Sequence, residues 1–331
     1  MAPLNLQELG VGARVQHPLL VFDRAEKTTG AGDPFVILTL GNSSGKLDTA
    51  PIWSDKIQWA EGASAGQIVQ AIGHIALYGK NGTAKRQLQL TAPVRPLPRD
   101  QSRVEEFLPK IAGDCTRLWD WIDERRARME SSKLRKVLDL FFDDDDFRLR
   151  FERTPGSTAG HHAKLGGLLL HTFEVAHFAR TAARTTRGAN PDLVFAGALL
   201  HDIGKVDSYE IGPGGFTYTP CGLIVGHIVL GVLMLERRLA TLREKVCTDG
   251  QLLDLQHMIL SHHGKPEYGS PVEPATVEAE ILHWADEASA KANDMSEALE
   301  DPDGFLDGGE VSSKRIWRVG RRVWRRPHDW E

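Results

Sequence analysis

The sequence predicts a multidomain protein in which a small N-terminal β-barrel precedes an all-α domain. Short strand-like runs separated by glycine-containing turns occupy residues 10–95, and prolines at 93, 96 and 98 end that region. From residue 103 onward, apolar residues recur at spacings of three and four, which is typical of helices. A chain of 331 residues is long enough for about two domains of ~150 residues.

The barrel is predicted from five short strands. They are residues 11–22, 35–40, 47–53, 68–78 and 86–91. Tight turns are expected at 42–45 and 79–82, where asparagine and glycine separate the apolar runs. Five such strands in about 90 residues are typical of a small closed barrel.

The second half carries a series of amphipathic helical patterns separated by Gly or Pro. Helices are predicted at 118–141, 165–186, 191–203, 221–239, 252–262 and 274–293. The run Asp143–Asp146 interrupts the first pattern, and we interpret it as a solvated turn. The expected domains are 1–98 (barrel), 99–150 (helical linker region), 151–300 (all-α domain) and 301–331 (basic tail).

Composition excludes several classes of protein. Forty Lys and Arg against 45 Asp and Glu give a net charge of −5, which argues against a uniformly basic nucleic-acid coat. No apolar run approaches the ~18 residues of a membrane helix, and no secretory signal is visible. Three widely spaced cysteines, Cys115, Cys221 and Cys247, favour a reducing cytoplasm over a disulfide framework or a cysteine zinc site.

Histidine marks the region where chemistry is expected. Ten of the thirteen histidines lie between His161 and His283. Any one of them could be an ordinary core histidine, and His177, His257 and His283 are interpreted in that way. For His283, three residues before Asp286, a position that supports the ligands is the alternative. The others occur with aspartates in the order His, His-Asp, His, His-His, Asp, on or at the ends of predicted helices. The candidate metal ligands are His171, His201, Asp202, His227, His262, His263 and Asp286.

This set contains more imidazoles than one metal ion needs, which favours two ions sharing a carboxylate. Mixed nitrogen and oxygen ligands suit Mn²⁺ first, with Fe²⁺, Co²⁺ and Mg²⁺ as alternatives, better than zinc in a thiolate cage.

Specific motifs carry a family resemblance. They are HHAKLGGLLLHT (161–172), LLHDIGKV (199–206), GHIVLG (226–231), LSHHG (260–264) and LHWADEASAK (282–291). Together they resemble the HD-domain metal-dependent phosphohydrolases. More narrowly, the chain resembles the YhaM-type 3′→5′ exoribonucleases, which carry an OB-fold domain before an HD domain. The resemblance covers roughly residues 10–295 and is looser in the OB part; Leu170 departs from the glutamate frequent there in the family.

The resemblance implies a ligand set and a reaction. One metal ion would take His171, His201, Asp202 and Asp286, and a second would share Asp202 and add His227, His262 and His263. Activated water would attack the terminal phosphodiester and release nucleoside 5′-monophosphates from a 3′ end. Lys205 would stabilise charge in the transition state, and His161 or His162 would hold the phosphate or protonate the leaving oxygen.

The expected partner is single-stranded RNA, with single-stranded DNA as a second candidate and a homo-oligomer left open. The barrel would bind the strand through aromatic and basic side chains. The candidates are Phe35, Lys46, Trp53, Tyr78, Lys80 and Arg86. The alternative for Phe35 and Trp53 is that they fill the barrel. The tail 314–326 has seven basic residues and two tryptophans, which suits either RNA contact or packing of Ile316, Trp317, Val323 and Trp324.

Two other functions are compatible with these residues. The first is an HD phosphohydrolase that acts on a nucleotide or cyclic dinucleotide, with the OB domain used for dimerisation or regulation. The second is a nucleic-acid-binding module with an inactive HD domain. The barrel favours a polymeric substrate and so argues against the nucleotide phosphohydrolase. The intact ligand set argues against an inactive HD domain.

Overall fold

The computed structural model describes residues 4–79, 84–98, 101–160, 162–305 and 308–330, with only the backbone described for 101–103. The chain divides into two compact units. The barrel unit comprises Met1–Pro109, Ile211–Gly215 and Asp294–Glu331, and the helical unit comprises Lys110–Glu210 and Phe216–Asn293. No helix in the described ranges is both long and apolar enough to cross a membrane.

The barrel unit is a nearly closed antiparallel β-barrel. Its strands are β1 (Arg14–Thr28), β2 (Pro34–Asn42), β3 (Gly45–Asp48), β4 (Ile52–Trp53), β5 (Ile68–Tyr78), β6 (Lys85–Leu90) and β7 (Arg95–Pro96). The strand order is β3-β2-β1-β5-β6, with β4 paired to β2 and β7 to β5. Thr49 forms a parallel bridge with Leu88, which joins the two ends of this order. The predicted small barrel is therefore present.

Alternating apolar residues of the long strands fill the barrel. Val36, Leu38 and Leu40 on β2 are fully buried and pack in one apolar cluster with Val69 and Ile75 of β5. This alternation follows from the two-residue period of a strand, which sends successive side chains to opposite faces.

The C-terminal segment packs within the barrel unit. Ile316 and Val323 are buried in a cluster with Ala298 and Phe305, whereas Trp317 is 77% exposed. The alternative that residues of the tail pack against the protein thus holds for Ile316 and Val323. It was wrong for Trp317 and for Trp324, which is 51% exposed.

Arg86 lies inside the barrel unit and not on its surface. Its side chain is buried, and Nε donates to Asp303 Oδ1 at 2.7 Å. Nη1 donates to the carbonyl oxygens of Leu6, Gln7 and Leu9 at 3.2, 3.1 and 2.9 Å. The expectation that Arg86 binds RNA was wrong, because its donors already bind these partners.

The helical unit consists mainly of α-helices. They are α1 (Cys115–Ala127), α2 (Ser132–Phe142), α3 (Asp145–Arg153), α4 (Gly167–Thr185), α5 (Pro191–Leu200), α6 (Lys205–Ser208), α7 (Pro220–Ile224), α8 (His227–Leu239), α9 (Asp249–Ser261) and α10 (Val277–Glu300), of which the last extends into the barrel unit. Short 3₁₀ helices lie at Pro266–Tyr268 in this unit and at Ser54–Ala60, Gln101–Phe107 and Pro302–Gly304 in the barrel unit. A hairpin of β8 (Tyr209–Gly212) and β9 (Gly215–Tyr218) interrupts the predicted all-α pattern.

Two predicted helices are each divided. The pattern at 221–239 breaks between α7 and α8 because Gly226 adopts a φ of +80°, which does not continue a right-handed helix. The pattern at 118–141 breaks between α1 and α2, where the side chain of Ser131 caps the second helix.

The acidic run begins a helix. Asp144 caps α3 by accepting from the N–H groups of Asp146 and Phe147. Asp143 Oδ1 lies 2.6 Å from Arg126 Nη2, and Asp144 Oδ2 lies 2.9 Å from Arg238 Nη2. The interpretation of this run as a solvated turn holds for Asp143 and Asp144, which lie between α2 and α3, whereas Asp145 and Asp146 are exposed residues of the first turn of α3.

Candidate metal centre

Helix ends bring the candidate ligands together in the helical unit. His201 follows the last residue of α5, His262 follows the last residue of α9, and His227 begins α8. His171 lies within α4, and Asp286 lies within α10. Close backbone approach helps to position them: a Cβ at Gly204 would overlap the carbonyl oxygen of His227. Only glycine therefore fits between the His201-Asp202 segment and the start of α8.

Asp202 lies at the centre of this group and is almost fully buried. Its Oδ2 is 3.1 Å from His201 Nε2 and 3.5 Å from His171 Nε2. Its Oδ1 is 3.4 Å from His227 Nε2 and 3.6 Å from His262 Nε2. The carboxylate thus faces one pair of imidazoles with each oxygen, which is the arrangement expected of a carboxylate shared by two cations.

The remaining ligand candidates extend the two sides of Asp202. His171 Nε2 lies 3.0 Å from Asp286 Oδ1 and 3.4 Å from His201 Nε2. On the other side, His263 joins His227 and His262. In each of the groups His171-His201-Asp202 and His227-His262-His263, the potential ligand atoms lie within 4.8 Å of one another.

Hydrogen bonds on the far side of the rings fix their orientation. The Nδ1 atoms of His201, His262 and His263 lie 2.8, 2.7 and 2.8 Å from the carbonyl oxygens of Ala198, Ile259 and Tyr268. A carbonyl can only accept, so Nδ1 carries the proton in each ring. Nε2 is then left with a lone pair, the form in which imidazole binds a metal ion.

Burial keeps these groups in their ligand states. It lowers the pKa of His171 to about 4 and that of His227 to about 3. Burial alone would raise the pKa of Asp202, but the positive charge of Lys205 holds it well below its usual range. At neutral pH the centre therefore presents neutral His171 and His227 beside an ionised Asp202.

The centre also contains polar atoms that lack hydrogen-bond partners in the described part of the chain. Asp202 Oδ1, His227 Nε2 and His262 Nε2 are all buried and unpaired. Such atoms are costly to bury unless another group satisfies them. All three are lone-pair donors that face one another, and a divalent cation fits this requirement. We conclude that the cluster is a divalent-metal site.

Two predicted catalytic residues occupy different positions in this centre. Lys205 is buried with Nζ 2.6 Å from Asp202 Oδ2. His162 is fully buried behind His171, with its Nε2 3.2 Å from Glu174 Oε2. The expectation that His162 contacts the phosphate was wrong, because a side chain without exposed surface cannot reach a substrate. His161 and the barrel residue Lys80 lie outside the described residues.

The sequence did not reveal two polar residues that support His171. Ser289 Oγ lies 3.0 Å from His171 Nδ1 and donates to Glu174 Oε2 at 2.7 Å. Helical spacing could have found them: Glu174 is three residues after His171 on α4, and Ser289 is three residues after Asp286 on α10. His283, interpreted as structural, places its Nδ1 3.0 Å from the carbonyl oxygen of His262.

The barrel presents aromatic side chains to solvent. Trp53 is 45% exposed and Tyr78 is 64% exposed, and the ring of Phe35 lies 5.1 Å from that of Trp53. The alternative that Trp53 fills the barrel was therefore wrong. Lys46 places Nζ 3.9 Å from the centre of the Phe22 ring, and burial lowers the pKa of this lysine.

Comparisons with known proteins agree with this architecture. The family model described as the HD domain matches residues 168–291. A Bacillus licheniformis protein named 3′-5′ exoribonuclease YhaM is 33% identical over 320 residues, 96% of each chain. Proteins of the same name from Bacillus subtilis and Listeria innocua are each 31% identical, over 96% and 98% of both chains respectively.

Proposed function

This chain belongs to the family of 3′→5′ exoribonucleases represented by YhaM, and on that premise we propose that it shortens single-stranded RNA from the 3′ end and releases nucleoside 5′-monophosphates. Its relatives that carry this name align over nearly their whole length. The observation that carries the proposal is the position of the Asp202 carboxylate between two pairs of imidazoles.

We assign the ligands to two cations. His171, His201, Asp202 and Asp286 would hold the first, and Asp202, His227, His262 and His263 would hold the second. Divalent cations at such a site lower the pKa of water and neutralise charge on phosphoryl oxygens. Mn²⁺ is the first choice because the set mixes imidazole with carboxylate, and Fe²⁺, Co²⁺ and Mg²⁺ are the alternatives.

The side chains around the proposed metal ligands have different roles. Lys205 keeps a positive charge beside Asp202, where it can stabilise the negative charge that develops on the phosphate during hydrolysis. The Ser289 hydroxyl accepts from His171 Nδ1–H and donates to Glu174, so that Nε2 of His171 stays directed toward Asp286. His162 contacts Glu174 and so acts as a positioning residue.

We propose that the barrel holds the RNA strand. The exposed rings of Trp53 and Tyr78, with Phe35 beside Trp53, can stack on bases, and Lys46 can contact phosphates. Stacking accepts any base, so single-stranded DNA is a second candidate ligand. The small number and wide spacing of the cysteines support the proposal of a reducing cytoplasm.

An end-label experiment tests this function. Single-stranded RNA labelled at its 5′ end and the same RNA labelled at its 3′ end are incubated with the protein and Mn²⁺, beside nucleotides and cyclic dinucleotides. We expect a ladder shortening from the 3′ end and early release of the labelled mononucleotide from the 3′-labelled strand. Asp202→Ala should abolish both the shortening of the RNA and the release of the mononucleotide, while RNA binding is largely retained. Intact RNA with a consumed small nucleotide would contradict the proposal and favour a nucleotide phosphohydrolase.

A further inference from the structure

The helical unit contains a polar cavity lined by residues outside the metal centre. This arginine cavity has a volume of about 450 Å³ and is lined at its charged side by Arg125, Arg128, Arg180 and Arg184. Pockets for small ligands typically occupy about 300–1,000 Å³. Among the described residues, none of the proposed metal ligands lines this cavity.

The arginines carry more positive charge than their neighbours neutralise. Arg125 and Arg128 both pair with Glu124, at 2.6 and 2.7 Å. Within the described ranges, neither Arg180 nor Arg184 forms an ion pair with a carboxylate. Burial and the charges of Arg184, Arg125 and Arg128 lower the pKa of Arg180, which indicates that these guanidinium groups repel one another. A bound anion would relieve this repulsion.

Carboxylates do not cancel this excess. Glu130 and Asp192 also line the cavity. The Asp192 carboxylate already accepts from the backbone N–H of Ser131 at 2.7 Å. Counting Glu124, the four arginines thus face three carboxylates, of which Asp192 is already engaged by the backbone.

Two helices begin at the same cavity. Ser131 is the N-cap of α2 and Asn190 is the N-cap of α5, and both residues line it. The N-terminus of a helix carries partial positive charge and favours anions. Apolar surface from Met129 and Phe195 completes the lining. Guanidinium groups, helix N-termini and an apolar wall together suit a phosphate attached to a nucleoside.

The cavity and the metal centre are separate sites on shared helices. Arg180 and Arg184 follow His171 by nine and thirteen residues on α4. At about 100° per residue, these arginines lie on the side of α4 opposite His171. Helix α5 begins at the cavity and ends beside His201. A ligand in the cavity therefore cannot be the phosphate that is hydrolysed at the metal centre.

We propose that the arginine cavity binds the phosphate group of a nucleotide or of an RNA strand. This inference does not rest on the proposed nuclease activity, because it concerns binding at residues outside the metal centre. Arg180 and Arg184 are the residues to change, since neither is held by a carboxylate in the described structure.

The test measures binding by full-length, manganese-loaded protein with three probes: inorganic phosphate, adenosine 5′-monophosphate, and single-stranded RNA protected from hydrolysis by phosphorothioate linkages. The variant Arg180→Gln/Arg184→Gln is compared with wild type by calorimetry. Each lost charge-assisted contact should weaken binding roughly tenfold, so the double variant should bind the relevant probe about a hundredfold more weakly. The single variant Arg184→Gln, at an exposed position, provides a milder change if the double variant melts early.

The matched control is Arg187→Gln/Arg243→Gln, which removes the same charge at two exposed positions without ion pairs in the described structure. It should bind like wild type. If the Arg180→Gln/Arg184→Gln variant binds inorganic phosphate and the mononucleotide more weakly, the phosphate bound in the cavity is that of a free nucleotide. Weaker binding of RNA alone, with a reduced salt dependence, would identify the RNA backbone. Equal affinities of wild type and both double variants for all three probes would overturn the proposal.

Discussion

Lys205 Nζ lies 2.6 Å from Asp202 Oδ2, and both residues are buried. This oxygen also faces His171 and His201. The ammonium group therefore helps to keep the shared carboxylate ionised, and it brings a fixed positive charge to the side of the centre assigned to the first cation.

Lys205→Met should lower the rate of RNA hydrolysis more than it lowers metal or RNA binding. Removing a charge that stabilises a transition state typically costs about 10²–10³ in kcat. Single-turnover kinetics on a labelled RNA, with metal analysis of the same preparation, measures both effects. A variant with wild-type kcat, or one that purifies without metal, would contradict this role.

Ser289→Ala should weaken metal binding, because it removes the hydroxyl that orients His171 through Nδ1. Loss of such a supporting hydrogen bond typically costs about 10–100-fold in metal affinity. Competition with a fluorescent chelator measures the change. Ser296→Ala, at an exposed position of the same helix, is the control and should bind metal like wild type. Equal metal affinity of the two variants would show that the Ser289 hydroxyl does not support metal binding.

The metal-free protein should lose stability as the pH falls from about 6.5 toward 4. Burial lowers the pKa of His171 to about 4, so the unfolded chain binds more protons than the folded chain across this interval. His227, lowered to about 3, acts in the same direction. His201 has the opposite effect on the pH dependence. Burial lowers its pKa, but the interaction with Asp202 outweighs burial and raises the pKa above its usual value.

Urea unfolding between pH 7 and pH 4 in the presence of chelator measures this dependence. The shift of His171 corresponds to roughly 3 kcal/mol at about 1.4 kcal/mol per pH unit. His171→Asn should flatten the dependence of the unfolding free energy on pH. An unchanged slope in this variant would show that His171 titrates normally in the folded protein.

Arg86→Met should destabilise the barrel unit, because it leaves Asp303 and three carbonyl groups without their donor. Breaking a buried ion pair typically costs about 3–5 kcal/mol in unfolding free energy. Lys85→Met is the control: its pair with Asp48 is about half exposed and should contribute under about 1 kcal/mol. Equal losses from the two substitutions would show that the Arg86 network adds no special stability.

Trp53→Ala and Tyr78→Ala should each weaken RNA binding without unfolding the barrel, since both side chains are substantially exposed. Stacking on a base is worth about 1–3 kcal/mol, so each variant should lose about 5–150-fold in affinity. Phe178→Ala, a partly exposed aromatic of the helical unit, is the control. Fluorescence anisotropy with a labelled oligonucleotide gives the affinities, and losses confined to Phe178→Ala would contradict this assignment.

The sequence predicted the features that depend on local pattern. Strand β5 was predicted at 68–78, and the start of α5 was predicted at Pro191, because apolar periodicity and turn residues mark both. The HD motifs identified the residues that meet at Asp202. The break at Gly226 was missed because the apolar pattern continues across it, and only the backbone conformation separates α7 from α8.

Residues whose roles depend on distant partners could not be predicted. Arg86 looked like a surface cation because its carboxylate partner, Asp303, lies 217 residues away in the chain. The helical spacing from Asp286 places Ser289 on the same face of α10, but its contact with His171 depends on how α10 packs beside α4. The four arginines of the cavity come from the C-terminal end of α1, the residue that follows it, and α4, and their proximity is visible only in the folded chain.

The most direct test of the account is the metal content of wild type and Asp202→Asn, measured by mass spectrometry after saturation with Mn²⁺ and removal of free metal. Asparagine keeps the volume of the side chain but removes the charge that two cations would share. We expect about two ions per chain in wild type, as for other two-metal centres, and at most one in a folded Asp202→Asn protein. A single ion in wild type, or two ions retained by the variant, would contradict the assignment of Asp202 as the shared ligand.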